Sequence, residues 1–272
     1  MRGRRKTGRR IPYLIVFIAA LGALLFLLPF IGIALRLPWM RLSEIFGDPE
    51  TRAALWLSIR SSAMAAALSC FFGAPLAYVL ARRAFPGRSV IRALMTLAMV
   101  LPPVVGGVAL LFTFGRNGFV GARLDEWLGI RLPYSSAGVV LAQTFVAMPF
   151  VVVAVESALV RQDTRMEEAA RTLGASPLTV LRRITIPTIR PALLAGAALA
   201  WARALGEFGA TITFAGSFPG RTQTLPLLVY STLDTDPGAA LALSFVLLAV
   251  AVVVLGLLRD FWFAGMSDRG KG

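Results

Sequence analysis

The run SSAGVVLAQTFVAMPFVVVAVESALV occupies residues 135–160, and its reading decides the fold. Its one charged residue is Glu156, close to the far end. A helix needs roughly 20 mainly apolar residues to cross the hydrocarbon core of a bilayer, and this run exceeds that length. It reads as a membrane-spanning helix, and its surroundings repeat the pattern. Similar stretches lie at 11–35, 55–80, 93–114, 192–214 and 237–258. Six crossings in all predict an all-α polytopic membrane protein.

Composition agrees. The 272 residues are 57% hydrophobic and 15% charged, with a mean hydropathy of +0.74. A soluble domain averages about 45–50% apolar and about 25% charged residues. The expected organisation is a basic cytoplasmic tail at 1–10, a six-helix transmembrane domain at 11–258 and a second cytoplasmic tail at 259–272. What remains between the spans leaves no room for a large soluble domain.

Basic residues set the orientation, because cytoplasmic segments retain Lys and Arg. With the N-terminus inside, segments 1–10, 81–92, 161–191 and 259–272 hold 19 of them. The opposite segments, 36–54, 115–134 and 215–236, hold 7 over a nearly equal length. Both termini are therefore expected in the cytoplasm. The net charge of +14 is then a topology signal and a lipid-surface anchor, not a nucleic-acid interface. The first span reads as a retained helix. Signal-peptide apolar cores run about 7–15 residues, whereas this one continues from Ile11 to Leu35 without a small-residue cleavage pattern.

Several chemistries are excluded. The chain has no histidine and a single cysteine, Cys70, so no internal disulfide and no His/Cys metal centre can form. Ser-His-Asp and Cys-His catalysis are excluded for the same reason. Lys6 and Lys271 are the only lysines, and neither lies in a phosphate-binding G-x-x-x-x-G-K-[ST] motif. The chain is expected to catalyse no reaction and to bind no metal or cofactor of its own.

The loop that follows the opening run, 161–191, is the longest on the expected cytoplasmic side. Thr164 and Glu167 fit a capping box, with Thr164 as N-cap. Met166, Ala169, Ala170 and Leu173 recur at helical spacing and form one small apolar face. Gly174 stands where a C′ glycine ends a helix. Ser176-Pro177 opens a second helix, and Pro187 and Pro191 are expected to break it before the next span. Periodicity leaves two readings: a helix lying on the membrane surface, or one shaped to dock in a cleft of another protein.

Within this loop Glu168-Ala169-Ala170, three residues, Gly174, nine residues, then Ile184-x-Ile186-Pro187 resembles the EAA signature of permease subunits of bacterial ABC importers. Ile186 stands where that pattern has Leu. Leu101-Pro102-Pro103-Val104-Val105-Gly106-Gly107 and Gly115-Arg116-Asn117-Gly118-Phe119-Val120-Gly121 are similar to molybdate permeases. The stretch Ala202-Arg203-Ala204-Leu205-Gly206-Glu207-Phe208-Gly209-Ala210-Thr211-Ile212-Thr213-Phe214 resembles the fifth helix of the molybdate and sulfate permeases, and its ending from Glu207 is closer to the molybdate branch. The similarity runs from about residue 50 to the C-terminus.

The resemblance implies a type I importer permease for molybdate and also tungstate, with a sulfate or thiosulfate permease of the same family as the alternative. It implies a homodimer, two cytoplasmic ATPase chains that bind ATP and Mg, and an extracytoplasmic oxyanion-binding protein. The site would be the bacterial cytoplasmic membrane. Met166, Glu168, Ala169, Ala170, Leu173, Gly174, Ala175 and Pro187 would then couple to the ATPase. A self-sufficient channel or secondary transporter needs no such loop, and no inverted repeat is visible in the sequence.

Charges inside spans are costly, roughly 2.5–3.5 kcal/mol each on insertion scales. Arg60 and Glu156 lie near enough to span ends to snorkel. Arg203 and Glu207 lie midway along the fifth span at i and i+4, so they share one face of a continuous helix. They read either as a structural ion pair or as groups that line or gate the conduit, together with Gly209 and Thr211. Pro102-Pro103 removes two backbone donors from the third span, giving either a packing kink or a hinge beside the pathway. Gly115, Gly118 and Gly121 predict a compact turn rather than a phosphate cradle.

Overall fold

The structure is a computed structural model that describes residues 12–267. The expected basic tail at 1–10 and the last residues of the expected C-terminal tail, 268–272, lie outside the described residues. The order of elements is α1 (Tyr13–Arg36), a 3-10 turn (Trp39–Arg41), α2 (Leu42–Gly47), α3 (Pro49–Arg82), α4 (Arg88–Val100) and α5 (Pro103–Phe114). There follow α6 (Gly121–Leu128), α7 (Ser136–Arg161), α8 (Arg165–Thr172) and α9 (Pro177–Val180). A π-helical turn (Leu181–Thr185) leads into α10 (Ile186–Leu205), then α11 (Gly209–Ala215), α12 (Leu225–Thr232) and α13 (Pro237–Ser267). No strand occurs among the described residues.

The opening run forms α7 and sits at the centre. Ser135 starts it: its hydroxyl accepts the amide of Gly138 at 3.0 Å. Ala142 and Val146 of α7 pack against α5 and α11, while Ala147, Val151, Val155 and Leu159 are buried against α3 and α10. Those neighbours come close because they present small side chains. On α3 these are Ser58, Ser61, Ser62, Ala65, Ala66, Ser69, Gly73 and Ala77. On α10 a Cβ at Gly196 would stand 3.1 Å from the Ala154 Cβ. In lipid, where apolar burial drives no association, such close packing holds helices together.

Five helices are long and apolar enough to cross a membrane: Tyr13–Arg36, Pro49–Arg82, Ser136–Arg161, Pro177–Leu205 and Pro237–Val254. The third expected crossing, 93–114, is divided. Pro102 and Pro103 have no N–H to give, so α4 ends at Val100 and α5 begins at Pro103. The fifth crossing is also not the continuous helix expected over 192–214, since α10 ends at Leu205 and α11 starts at Gly209. Conversely, Pro187 and Pro191 do not end their helix. The wide turn at 181–185 precedes Pro187, which sits in the first turn of α10, and the helix runs unbroken from Pro177 to Leu205 with Pro191 inside it.

The segment 215–236, expected as a plain loop, folds back into the bundle. Leu225, Leu227 and Leu228 of α12 are buried, and the Leu225 amide donates to the Ser58 hydroxyl at 2.6 Å. Helix α1 differs in kind, because none of its residues is buried. Its 24 residues, uncharged up to Arg36, form a lipid-length rod beside α13.

Two segments expected on the same side of the membrane meet at one end of the bundle. Arg41, from the 36–54 segment, meets Asp236, from the 215–236 segment, at 2.7 Å. Asp236 also caps α13, accepting the Ala239 amide at 3.0 Å. The Arg41 hydrogen bond, with that amide, lowers the Asp236 carboxyl to about 2 from 3.8. A depressed carboxyl stabilises the fold above its unfolded value and loses that contribution as pH falls through the folded value. The difference in unfolding temperature between wild type and Asp236→Asn should therefore stay constant from neutral pH down to about 5. It should shrink below 3.8 and vanish near about 2. A difference independent of pH would contradict the pairing.

Candidate functional site

The 161–191 loop keeps the punctuation read from its sequence at one end and changes it at the other. Gly174 takes φ +84, a left-handed conformation that strains any side chain. Its amide donates to Arg171 O and that of Ala175 to Ala170 O, both at 3.0 Å, closing a Schellman turn. Ser176 caps α9 through the Thr179 amide at 3.2 Å. The expected capping box does not form. Thr164 has helical φ −82 and ψ −7, so its hydroxyl points along the helix to Glu168 Oε1 at 2.9 Å.

Glu167 is released from capping and does something the sequence did not announce. It is 3% exposed, and its Oε1 accepts from Arg82 Nη2 at 3.0 Å, Thr185 Oγ1 at 2.8 Å and Gln162 Nε2 at 3.2 Å. Arg82 ends α3 and Thr185 lies in the π-helical turn. One buried carboxylate thus fixes α8 to two membrane helices, and tertiary partners outcompete the local cap. The apolar side of α8 is left uncovered. Met166 is 70% exposed and Leu173 is 89% exposed, with Ala169 and Leu178 exposed beside them. Helix α8 is therefore rigidly held from behind and bare in front, which is what a docking helix requires.

The second group of sequence-predicted residues converges at the two helix breaks. A Cβ at Gly209 would stand 3.0 Å from Pro103 Cβ and from Val104 N, so the starts of α5 and α11 touch. A Cβ at Gly107 would fall 2.7 Å from Thr213 Cβ and 2.9 Å from Ala210 O. Glu207 lies in the break itself and is fully buried. Its Oε1 accepts the Ala210 amide at 2.7 Å, capping α11, and its Oε2 meets Arg203 Nη1 at 2.6 Å. The Arg203–Glu207 pair exists as expected, but it bridges a gap between helices rather than one continuous helix face. Thr211 and Gln143 are fully buried nearby in the sequence of α11 and in α7, and their side-chain polar atoms have no partner among the described residues.

Packing this close leaves no spare volume between α5 and α11. Gly107→Ala should cost about 1–3 kcal/mol through overpacking. Thermal unfolding in lipid nanodiscs would show this as a lowered midpoint, and an unchanged midpoint would contradict the close approach.

The other intramembrane charges are also placed. Glu156 accepts from Arg92 Nε at 2.6 Å instead of snorkelling, and Arg92 donates as well to Leu80 O at 3.1 Å. Arg60 faces a mainly apolar groove of about 970 Å³ between α3, α5 and α7. Cβ atoms at Gly115, Gly118 and Gly121 would run into backbone carbonyls of the last turn of α5 and, for Gly121, of Gly115. The compact turn forms as expected, and only glycine fits it.

A bundle of lipid-length helices, two interrupted crossings that meet at their breaks, and a helix with a bare apolar face together define a polytopic membrane protein. The chain belongs to the family of binding-protein-dependent transport system inner membrane components, whose family model matches residues 72–269. It is 47% identical over 246 residues to the molybdenum transport system permease protein ModB of Mycobacterium tuberculosis, covering 89% of this chain and 92% of that one. Identity to ModB of Escherichia coli is 41% over 228 residues, covering 84% and 99%. Identity to the sulfate transport system permease protein CysT of Salmonella typhimurium is 36% over 236 residues, covering 85% of each. Among solved structures, a bacterial ABC transporter involved in the import of alginate superposes with a TM-score of 0.69 at 18% identity, covering 96% of each chain. The chain is thus a multi-span transport component of the inner membrane.

Proposed function

We propose that this chain is the permease subunit of an ATP-driven importer that passes molybdate, and with it tungstate, into the cytoplasm. The supporting observation is near-full-length identity to ModB proteins, 47% and 41%, against 36% to a sulfate permease over a similar span. The chain acts as a homodimer whose two α8 helices dock on two separate ATPase chains. Those chains bind ATP and Mg, and this chain binds no cofactor. An extracytoplasmic oxyanion-binding protein delivers the anion to the end formed by 36–54, 115–134 and 215–236. The distribution of basic residues supports cytoplasmic termini on either side of the transmembrane domain.

In this reading Met166, Glu168, Ala169, Ala170, Leu173, Gly174, Ala175 and Pro187 belong to the coupling element. Glu167 transmits its motion to α3 and the π-helical turn. Pro102, Pro103, Arg203, Glu207, Gly209 and Thr211 form a gate where the two broken helices meet. Breaks in spanning helices are tolerated where they line a pathway. The Glu207 carboxylate offsets Arg203 there, which keeps a permanent cation from trapping the anion, since conduction needs binding weak enough to release. Closure of the ATPases moves the coupling helices and switches access between the two sides.

The test is ATP hydrolysis by the assembled complex with its binding protein loaded with molybdate or with sulfate. Molybdate-loaded protein should give the larger stimulation. Larger stimulation by sulfate-loaded protein would place the chain with the sulfate importers.

A further inference from the structure

At the end of the bundle poor in basic residues, three arginines from distant parts of the chain meet in one pocket. Arg116, Arg131 and Arg221 line a cavity of about 620 Å³ with Asn117 and Tyr134. Only 7 Lys/Arg fall in the segments at that end, so three sharing one pocket runs against the charge asymmetry of the chain. The compact glycine turn holds the wall. Gly115 and Gly118 are themselves part of the lining, and the turn presents Arg116 and Asn117 between them. Arg131 is oriented by Asp125, whose two oxygens accept from its Nε at 2.9 and 3.0 Å. The Arg221 carbonyl is held by the Ser136 hydroxyl at 2.8 Å.

Tyr134 adds an independent sign. It is the only non-glycine among the described residues with positive φ, at 56°. Such a conformation costs about 1–3 kcal/mol and persists where the surroundings impose it. Here its ring packs edge-on against Phe218, with the centroids 6.0 Å apart, beside Gly216.

With Arg131 neutralised by Asp125, Arg116 and Arg221 have no ion-pair partner among the described residues. The pocket therefore presents two uncompensated positive charges. Guanidinium forks match tetrahedral oxyanions, each offering paired N–H donors in a plane. Exposure to water keeps the attraction modest and exchange fast. We propose that this pocket is a transit site that takes a tetrahedral oxyanion dianion as it arrives at the permease, with Arg116 and Arg221 as its ligands. The proposal rests on the reading of the chain as an oxyanion permease and adds a binding site outside the gate.

The test uses the full-length chain in lipid nanodiscs, with Cys70→Ala and Asn117→Cys, labelled by an uncharged maleimide. An uncharged reagent does not respond to screening, so protection reports occupancy. Molybdate at about ten times its dissociation constant should slow labelling about tenfold, and chloride at equal ionic strength should not. Adding Arg116→Gln and Arg221→Gln should abolish that protection without changing the unfolding midpoint, because both side chains are exposed. Protection by sulfate but not molybdate would leave the pocket standing and overturn the molybdate reading of the permease. The pocket proposal itself is overturned if neither anion protects, if chloride protects equally, or if protection survives the double substitution. Should the same double substitution instead weaken only the stimulation of ATP hydrolysis by binding protein, the arginines grip that protein and not the anion.

Discussion

Glu207→Ala should cost this protein about 3–5 kcal/mol, the range for breaking a buried ion pair from one side. The carboxylate is fully buried and serves two partners, the Arg203 guanidinium at 2.6 Å and the Ala210 amide at 2.7 Å. Removing it leaves the partly buried Arg203, 28% exposed, without its counter-ion and uncaps α11 in the same step. The informative comparison is the pair removed together. Arg203→Met with Glu207→Leu leaves no stranded charge, so its cost should fall to about 1 kcal/mol, near that of a lost helix cap. Unfolding midpoints of the two single variants and the double variant give the coupling directly. A double variant as unstable as Glu207→Ala would contradict the account of the break.

Leu173→Asp should leave the fold intact and abolish docking of the ATPase. Leu173 is 89% exposed, so no internal packing is lost. In a docked complex the same position would bury a carboxylate against an apolar cleft. Truncating such an interface anchor costs at least about 2 kcal/mol, or about 30-fold in affinity, and an unpaired buried charge costs more. Gly174→Ala separates the two contributions. It strains the φ +84 turn, by about 1–2 kcal/mol, yet leaves the apolar face in place. Co-purification with the ATPase should therefore fail for Leu173→Asp at an unchanged unfolding midpoint and weaken less for Gly174→Ala. Full retention by Leu173→Asp would remove α8 from the coupling role.

Much of this fold is legible in the sequence because its strongest signals are long or local. The lengths of α1 and α7 follow from apolar runs that lipid alone can accommodate, whereas α3 begins at Pro49, before its expected span 55–80, and α13 continues to Ser267, past its expected end at 258 and into the expected tail. The turn at Gly174 and the cap at Ser176 follow from residues whose backbone preferences act over a few positions. What escaped is non-local. Nothing in the run around Gly206 announces a helix break, because the break depends on Gly209 seating against Pro103 and on Glu207 capping the far side. Glu167 looks like a local cap and becomes a tertiary clamp because Arg82 and Thr185 reach it first. Helix α12 hides in a segment rich in turn residues, where Leu225, Leu227, Leu228 and Val229 make too short an apolar run to announce a buried helix. The arginine pocket joins residues 116, 131 and 221, which no spacing rule connects.

The central claim is that this chain, once docked to ATPase chains, carries molybdate across a membrane. Uptake of radiolabelled molybdate into vesicles holding the assembled complex, its binding protein outside and ATP inside, measures that directly. Molybdate should accumulate only with ATP, and an excess of sulfate should leave its rate unchanged. Absence of ATP-driven accumulation, or sulfate uptake at an equal or greater rate, would contradict the account.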